Sequence, residues 1–289
     1  MITEGRTMAD IKNEIEKASG IETIIDHLLK TPGIKVNREK FLTGKFAKIT
    51  DEKQLIEILE TGPYAAGIKK SNIDNIAKAT VQKRTLISTG ISTAAGLPGG
   101  LAMAATIPAD IAQFFGNSLR MAQELAYLYG HEDLWLDEHL DTEKARNRMI
   151  IFLGAMLGVG GSSSALKLAA PGVAKTILKK VPQIALTKTV YYPIVKRISS
   201  YIGVEITKRT FASGLSKAVP VVGGVISGTI TFTIMRPMGK RLAKTLSESL
   251  LLTNKDVMEE YEIIKKEFPE VDNMKFEKEA DKSMLFSDE

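Results

Sequence analysis

GLPGGLAMAATIPADIAQFFGNSLRMAQELAYLYG, residues 96–130, decides how the rest of the chain is read. Pro108 suits the first position of a helix, because its φ is preset and it has no N–H to leave unsatisfied. From there, a turn of 100° per residue puts Asp110, Gln113, Asn117, Arg120 and Glu124 in one arc about 80° wide. Ile111, Phe114, Phe115, Leu119, Met121, Leu125 and Leu128 occupy the other faces. A helix that is apolar on most sides needs neighbours on most sides, which predicts an all-α, multi-helix bundle around it. The polar seam itself has two readings. It faces water, or it is a buried network in which each charge meets a group from another element, since an unpaired buried charge costs several kcal/mol, about 3–5 by comparison with broken buried pairs. For Asp110 the candidates are Arg236 and Lys240, and for Arg120 the local choice is Glu124 one turn on.

Upstream, apolar residues recur at helical spacing from Ile11 to Leu29, up to the stop Thr31-Pro32-Gly33. Asn37 and then Thr50 or Asp51 are placed to cap short helices, and Gly62-Pro63 to end the second. Ser71 with Asp74 has the spacing of a capping box, as does Thr253 with Asp256. The chain divides into an N-terminal helical module (1–70), a larger helical domain (71–252), a C-terminal helix (253–270) and a polar, aperiodic tail (271–289) expected to be disordered.

Three uncharged runs interrupt the chain. Residues 85–109 are broken by Gly96, Pro98, Gly99, Gly100 and Pro108. Met149–Leu166 and Ala218–Met235 are eighteen residues each, the short limit for a bilayer span, and rich in glycine. They are expected to form Gly-rich apolar hairpins, either buried or inserted at a membrane interface. Gly154 with Gly158, and Gly224 with Gly228, have the four-residue spacing that lets two helix axes approach.

The net charge of +5 conceals an asymmetry: between Ala145 and Thr245 stand sixteen Lys/Arg and a single acid, Glu205. Such a block is a surface for polyanions. Its basic residues alternate with Ile, Val, Leu, Ala and Gly rather than stacking aromatics, which favours an anionic membrane surface over nucleic acid. Lys175, Lys179, Lys180, Lys196, Arg197, Lys208, Arg209, Lys240 and Arg241 are the candidate contacts. With no apolar signal peptide at the N-terminus, the expected location is cytoplasmic, peripheral on the inner face of the membrane.

Signals for catalysis are few. The chain has no cysteine, so disulfides, thiolate metal sites and cysteine nucleophiles are excluded. No phosphate loop, dinucleotide fingerprint, HExxH or GxSxG occurs. His131, Glu132, Asp133, Asp137, Glu138 and His139 cluster without a metal-ligand spacing and read as a solvated connector, so no metal or cofactor is expected. Gly160-Gly161 followed by three serines can place N–H groups and hydroxyls at a helix start, as an N-cap or for an anion.

Taken together, AGLPGG (Ala95–Gly100), IPAD (Ile107–Asp110), LRMAQELAYLYG (Leu119–Gly130), AVPVVGGVISG (Ala218–Gly228) and RPMGKRL (Arg236–Leu242) resemble the EcsC family of bacterial proteins. The resemblance runs over roughly residues 72–250. It implies a setting in membrane processes and secretion, since the family's name-giving protein is encoded beside an ABC transporter, a membrane protein such as a transporter as a partner, and no established enzymatic activity. The expected function is therefore a non-catalytic scaffold or regulator at the anionic membrane surface. Two other classes are consistent with the sequence: a lipid or small apolar ligand-binding protein with a pocket lined by Phe114, Phe115, Met121 and Met156, and a soluble enzyme whose active site is the polar seam.

Overall fold

Short polar side chains open three of the described helices by capping their first free N–H groups. The computed structural model describes residues 22, 24–91, 109–133, 135, 142–171, 196–197, 199–200 and 223–267. After a helical stretch over residues 24–30, Asn37 accepts from the Lys40 N–H at 2.7 Å to start α1 (Arg38–Phe46). Asp51 does the same with Gln54 for α2 (Glu52–Thr61), which Gly62 ends. Then follow α3 (Lys70–Ile91), α4 (Ala109–Leu128), α5 (Thr142–Leu157), α6 (Ser162–Leu168), α7 (Gly223–Ser249) and α8 (Asn254–Glu267). Thr253 and Asp256 close a reciprocal capping box at the start of α8. The described residues contain no strand, and the fold is an all-α multi-helix bundle.

The mostly apolar α4 lies at the centre, in contact with α1, α3, α5 and α7. Leu119, Met121, Ala122, Leu125, Ala126, Tyr127 and Leu128 are fully buried there. α7 packs along α3 and also touches α4, α5 and α6, while α8 lies on α6. Most of the buried apolar side chains form one cluster from Ile25 to Ile264, so residues before 70 share the core of the later helices. Lys167 on α6 fastens the far end by pairing with Glu248 of α7 at 2.8 Å and Glu260 of α8 at 2.7 Å. The expected tail at 271–289 lies outside the described residues. No helix among the described residues is long and apolar enough to cross a membrane.

The second uncharged run does fold as a hairpin: the end of α5, a turn at residues 158–161, and α6. Gly158, however, does a different job from the one its spacing with Gly154 suggests. Gly158 has φ +77°, Val159 N–H bonds back to the Gly154 carbonyl at 2.9 Å, and Gly158 N–H bonds to Ala155 at 3.3 Å. That pairing is a Schellman motif, which absorbs the last carbonyls of α5 and requires a left-handed residue at the Gly158 position. The same motif ends α4 at Gly130. Gly224 and Gly228 fall within α7, but their packing lies outside the described residues. The glycine that lets helices approach is Gly239: a Cβ there would lie 2.7 Å from Val81 Cγ1 of α3 and 2.9 Å from Met121 Sδ of α4.

Candidate functional site

Two helical stripes face each other across a cleft of about 260 Å³. On α3, steps of four and three bring Asp74, Lys78, Val81 and Gln82 to one side. On α7 the same register aligns Arg236, Lys240, Ala243, Lys244 and Ser247, and Tyr129 closes the floor from the end of α4. Lys78, Arg236, Lys240 and Lys244 are all exposed. Four cations thus converge on one opening from two helices.

The floor is already satisfied. Lys70 Nζ donates to Asp74 Oδ2 at 2.9 Å and to the Ser247 hydroxyl, and the Tyr129 hydroxyl donates to Asp74 Oδ1 at 2.9 Å. Burial alone would raise the Asp74 pKa, but these hydrogen bonds outweigh it and hold the carboxyl below the usual range. Burial first, and then the bond to Asp74, push the Tyr129 phenol above its ordinary value. With both Asp74 oxygens bonded by Lys70 and Tyr129, the charged groups left facing the cleft are its cations. What the cleft offers is positive charge. The expected capping box of Ser71 and Asp74 does not form, because the helix already begins at Lys70 and Asp74 is bonded by Lys70 of its own helix and by Tyr129.

The polar seam of α4 faces α3. Glu124 is buried and accepts two bonds from Arg84, Nε to Oε2 at 2.7 Å and Nη2 to Oε1. Its partner is therefore not Arg120, the neighbour expected at i−4. Asn117 donates to the Ser88 hydroxyl at 3.4 Å. Gln113 Nε2 and Arg120 Nε are buried with no hydrogen-bond partner among the described residues. Burial, and then repulsion from Arg84, lower the Arg120 pKa against the attraction of Glu124. The Asp110 side chain, and with it the expected pairing to Arg236 or Lys240, lies outside the described residues.

Periodicity did not single out Gln123, yet it is fully buried and uses every amide atom. Its Oε1 accepts from Val36 N–H at 3.0 Å and Trp135 Nε1 at 2.9 Å, while its Nε2 donates to Ile34 and Leu119 carbonyls at 3.0 Å each. It ties two loops to the central helix.

The candidate membrane contacts divide. Lys175, Lys179, Lys180, Lys208 and Arg209 lie outside the described residues. Lys196 is exposed, and Arg197 pairs with Glu267 at 3.3 Å. Arg241 is exposed, and its Nη1 donates to the Met156 carbonyl at 3.0 Å, capping the end of α5. Among the described residues of that set, Lys240 lines the cleft. Sequence reading missed Lys78 and Lys244, although their four-residue steps from Asp74 and Lys240 were visible.

Phe114, Phe115, Met121 and Met156 are packed within the core, the two phenylalanine rings edge to face at 5.3 Å. His131 is buried with Phe152 against its ring, and the described residues hold no group of three or more potential metal ligands. At the Gly160 turn, a Cβ would meet Glu267 Oε2 at 2.7 Å, so a carboxylate already sits where an anion was considered.

Compared with protein families, curated proteins and solved structures, the chain matches none of them. The geometry of the cleft therefore carries the functional argument.

Proposed function

We propose that this chain is a non-catalytic protein that attaches to an anionic membrane surface through the face bearing the cleft between α3 and α7. One observation carries the reading: Lys78, Arg236, Lys240 and Lys244 converge, exposed, on a single opening whose one acid is held by Lys70 and Tyr129. A basic residue near an anionic surface contributes about 1 kcal/mol at low salt, so four together supply roughly 4 kcal/mol, close to a thousandfold in partitioning. Lipid is favoured over nucleic acid because the aromatic ring at the cleft, Tyr129, is buried and its hydroxyl is engaged, so no base can stack on it. The surplus of basic residues over 145–245 and the EcsC-like motifs support the same setting. A transporter as protein partner belongs to this proposal as the setting the motifs imply.

Cosedimentation of the full chain with vesicles tests it. Binding to vesicles containing phosphatidylglycerol, lost in pure phosphatidylcholine and weakened by salt, is the expected result. Equal recovery with both vesicle types, or with neither, overturns it.

A further inference from the structure

We infer that the cleft is a subsite for a single phosphomonoester headgroup, seated at the rim between Lys78 of α3 and Lys240 and Lys244 of α7. This rests on the surface reading above and adds to it a chemical preference.

The size of the cleft comes first. At about 260 Å³ it falls below the roughly 300–1,000 Å³ of pockets that enclose drug-sized ligands, so it takes a headgroup and not an acyl chain. Val81, Ala243 and the ring of Tyr129 supply its apolar lining, while Lys78, Arg236, Lys240 and Lys244 line it as exposed cations. Charge selects the headgroup. Neither Lys78 nor Lys240 has an ion-pair partner among the described residues, and Lys244 reaches only the exposed Glu248 at 3.8 Å. Asp74 does not quench them, because its two oxygens are taken by Lys70 and Tyr129.

Between anionic headgroups, the lysines distinguish by charge and by the number of free oxygens. A monoester carries about −1.5 to −2 charges at neutral pH and three terminal oxygens, against one charge and two free oxygens for a diester. Ammonium groups arriving from two helices can each take a separate oxygen of the monoester, whereas a diester turns at least one ester oxygen toward them. Lysine binds phosphate as a point charge, so the arrangement needs convergence and not a planar fork.

The test compares vesicles of phosphatidylcholine doped with either phosphatidic acid or phosphatidylglycerol, the mole fractions set to give equal surface potential. The full chain is expected to bind the phosphatidic acid vesicles about tenfold more tightly, the equivalent of roughly 1.4 kcal/mol. Lys78→Gln with Lys240→Gln should abolish that preference, while Lys48→Gln with Lys53→Gln, two exposed lysines of the α1–α2 region, should preserve it. Thermal melts establish that both variants fold, and the sites are exposed, so both should. Equal binding to the two vesicle types sinks the headgroup site and leaves the surface reading standing. Preference that survives in the cleft variant also sinks it. A further arm titrates glycerol 3-phosphate by calorimetry without vesicles. Binding there that depends on Lys78 and Lys240, with no vesicle binding, upholds the phosphomonoester site but overturns the surface reading; binding to neither vesicles nor glycerol 3-phosphate overturns both.

Discussion

Arg84 on α3 holds Glu124 on α4 by two parallel hydrogen bonds, in a contact that leaves their side chains 14% and 7% exposed. A bidentate pair at that depth fixes the rotation of α4 against α3, and with it the position of Tyr129 at the floor of the cleft. Breaking a buried pair from one side typically costs ~3–5 kcal/mol, because the other charge is left unanswered. Glu124→Ala should therefore lower stability by about that much in a urea titration. Replacing both partners, as Arg84→Met with Glu124→Leu, should recover most of the loss. A cost below about 1 kcal/mol for Glu124→Ala would mean that water answers both charges.

Gly239 is where α7 meets two helices at once. Gly239→Ala would press a methyl against Val81 and Met121, and overpacking of this kind costs ~1–3 kcal/mol. Trimming the neighbour with Val81→Ala in the same chain should relieve it, whereas two unrelated defects would add. Gly158→Ala has open space apart from Arg241 at 3.8 Å, yet its left-handed backbone costs ~1–2 kcal/mol. Gly44→Ala, in α1 with nothing near its Cβ, should instead stabilise by ~0.5–1 kcal/mol. Thermal melts of the four variants check the order.

Local chemistry was legible in the sequence where it spans one turn. The caps at Asn37, Asp51 and Thr253 need partners three residues away, and the chain supplies them. The seam of α4 was legible as a stripe, but its partner Arg84 lies 40 positions upstream, where no periodicity points. Gly158 misled because a glycine near the end of an apolar helix can serve either a helix crossing or a Schellman turn, and only backbone conformation and hydrogen bonds separate the two. Gly239 has Ala243 at the matching step, and a search for paired glycines alone passed over it. At the cleft, the basic composition was visible but not its sorting: Arg241 caps a helix end while its neighbour Lys240 faces the opening.

His131 gives the protein an acid limit. Burial, and then the charge of Arg148, lower its pKa to about 4, and its Nε2 has no hydrogen-bond partner among the described residues. In the unfolded chain the ring takes a proton near pH 6.5, so between that pH and about 4 the unfolded state binds more protons than the folded one. Stability is thus complete above pH 6.5 and declines as the pH falls toward 4, by on the order of 3 kcal/mol at 1.36 kcal/mol per pH unit. His131→Leu should flatten that part of the profile. Urea midpoints measured across this range check it, and an unchanged slope in the variant would assign the loss to other groups.

Gln123 is expected to be the most sensitive uncharged polar residue of the core. Its amide answers the Val36 N–H, the Ile34 carbonyl and the Trp135 indole at once, so Gln123→Ala leaves all three without their partner. Each buried polar group left unsatisfied costs ~1–3 kcal/mol, and the vacated volume adds to the loss. Gln123→Leu fills the volume but not the bonds, so it should rescue only part. Gln123→Glu keeps the acceptor for Val36 and Trp135 but turns an oxygen toward the Ile34 and Leu119 carbonyls, a repulsion that only protonation removes. Its stability should therefore rise as the pH falls, the reverse of the His131 trend, and the two effects separate by comparing each variant with the wild type. Trp135 is the only tryptophan, so its fluorescence reports the site directly. A red shift in Gln123→Ala in the absence of denaturant, together with a lowered urea midpoint, is the expected outcome. Wild-type emission and stability in that variant would show that the connector and the 34–36 loop are held by their apolar contacts alone.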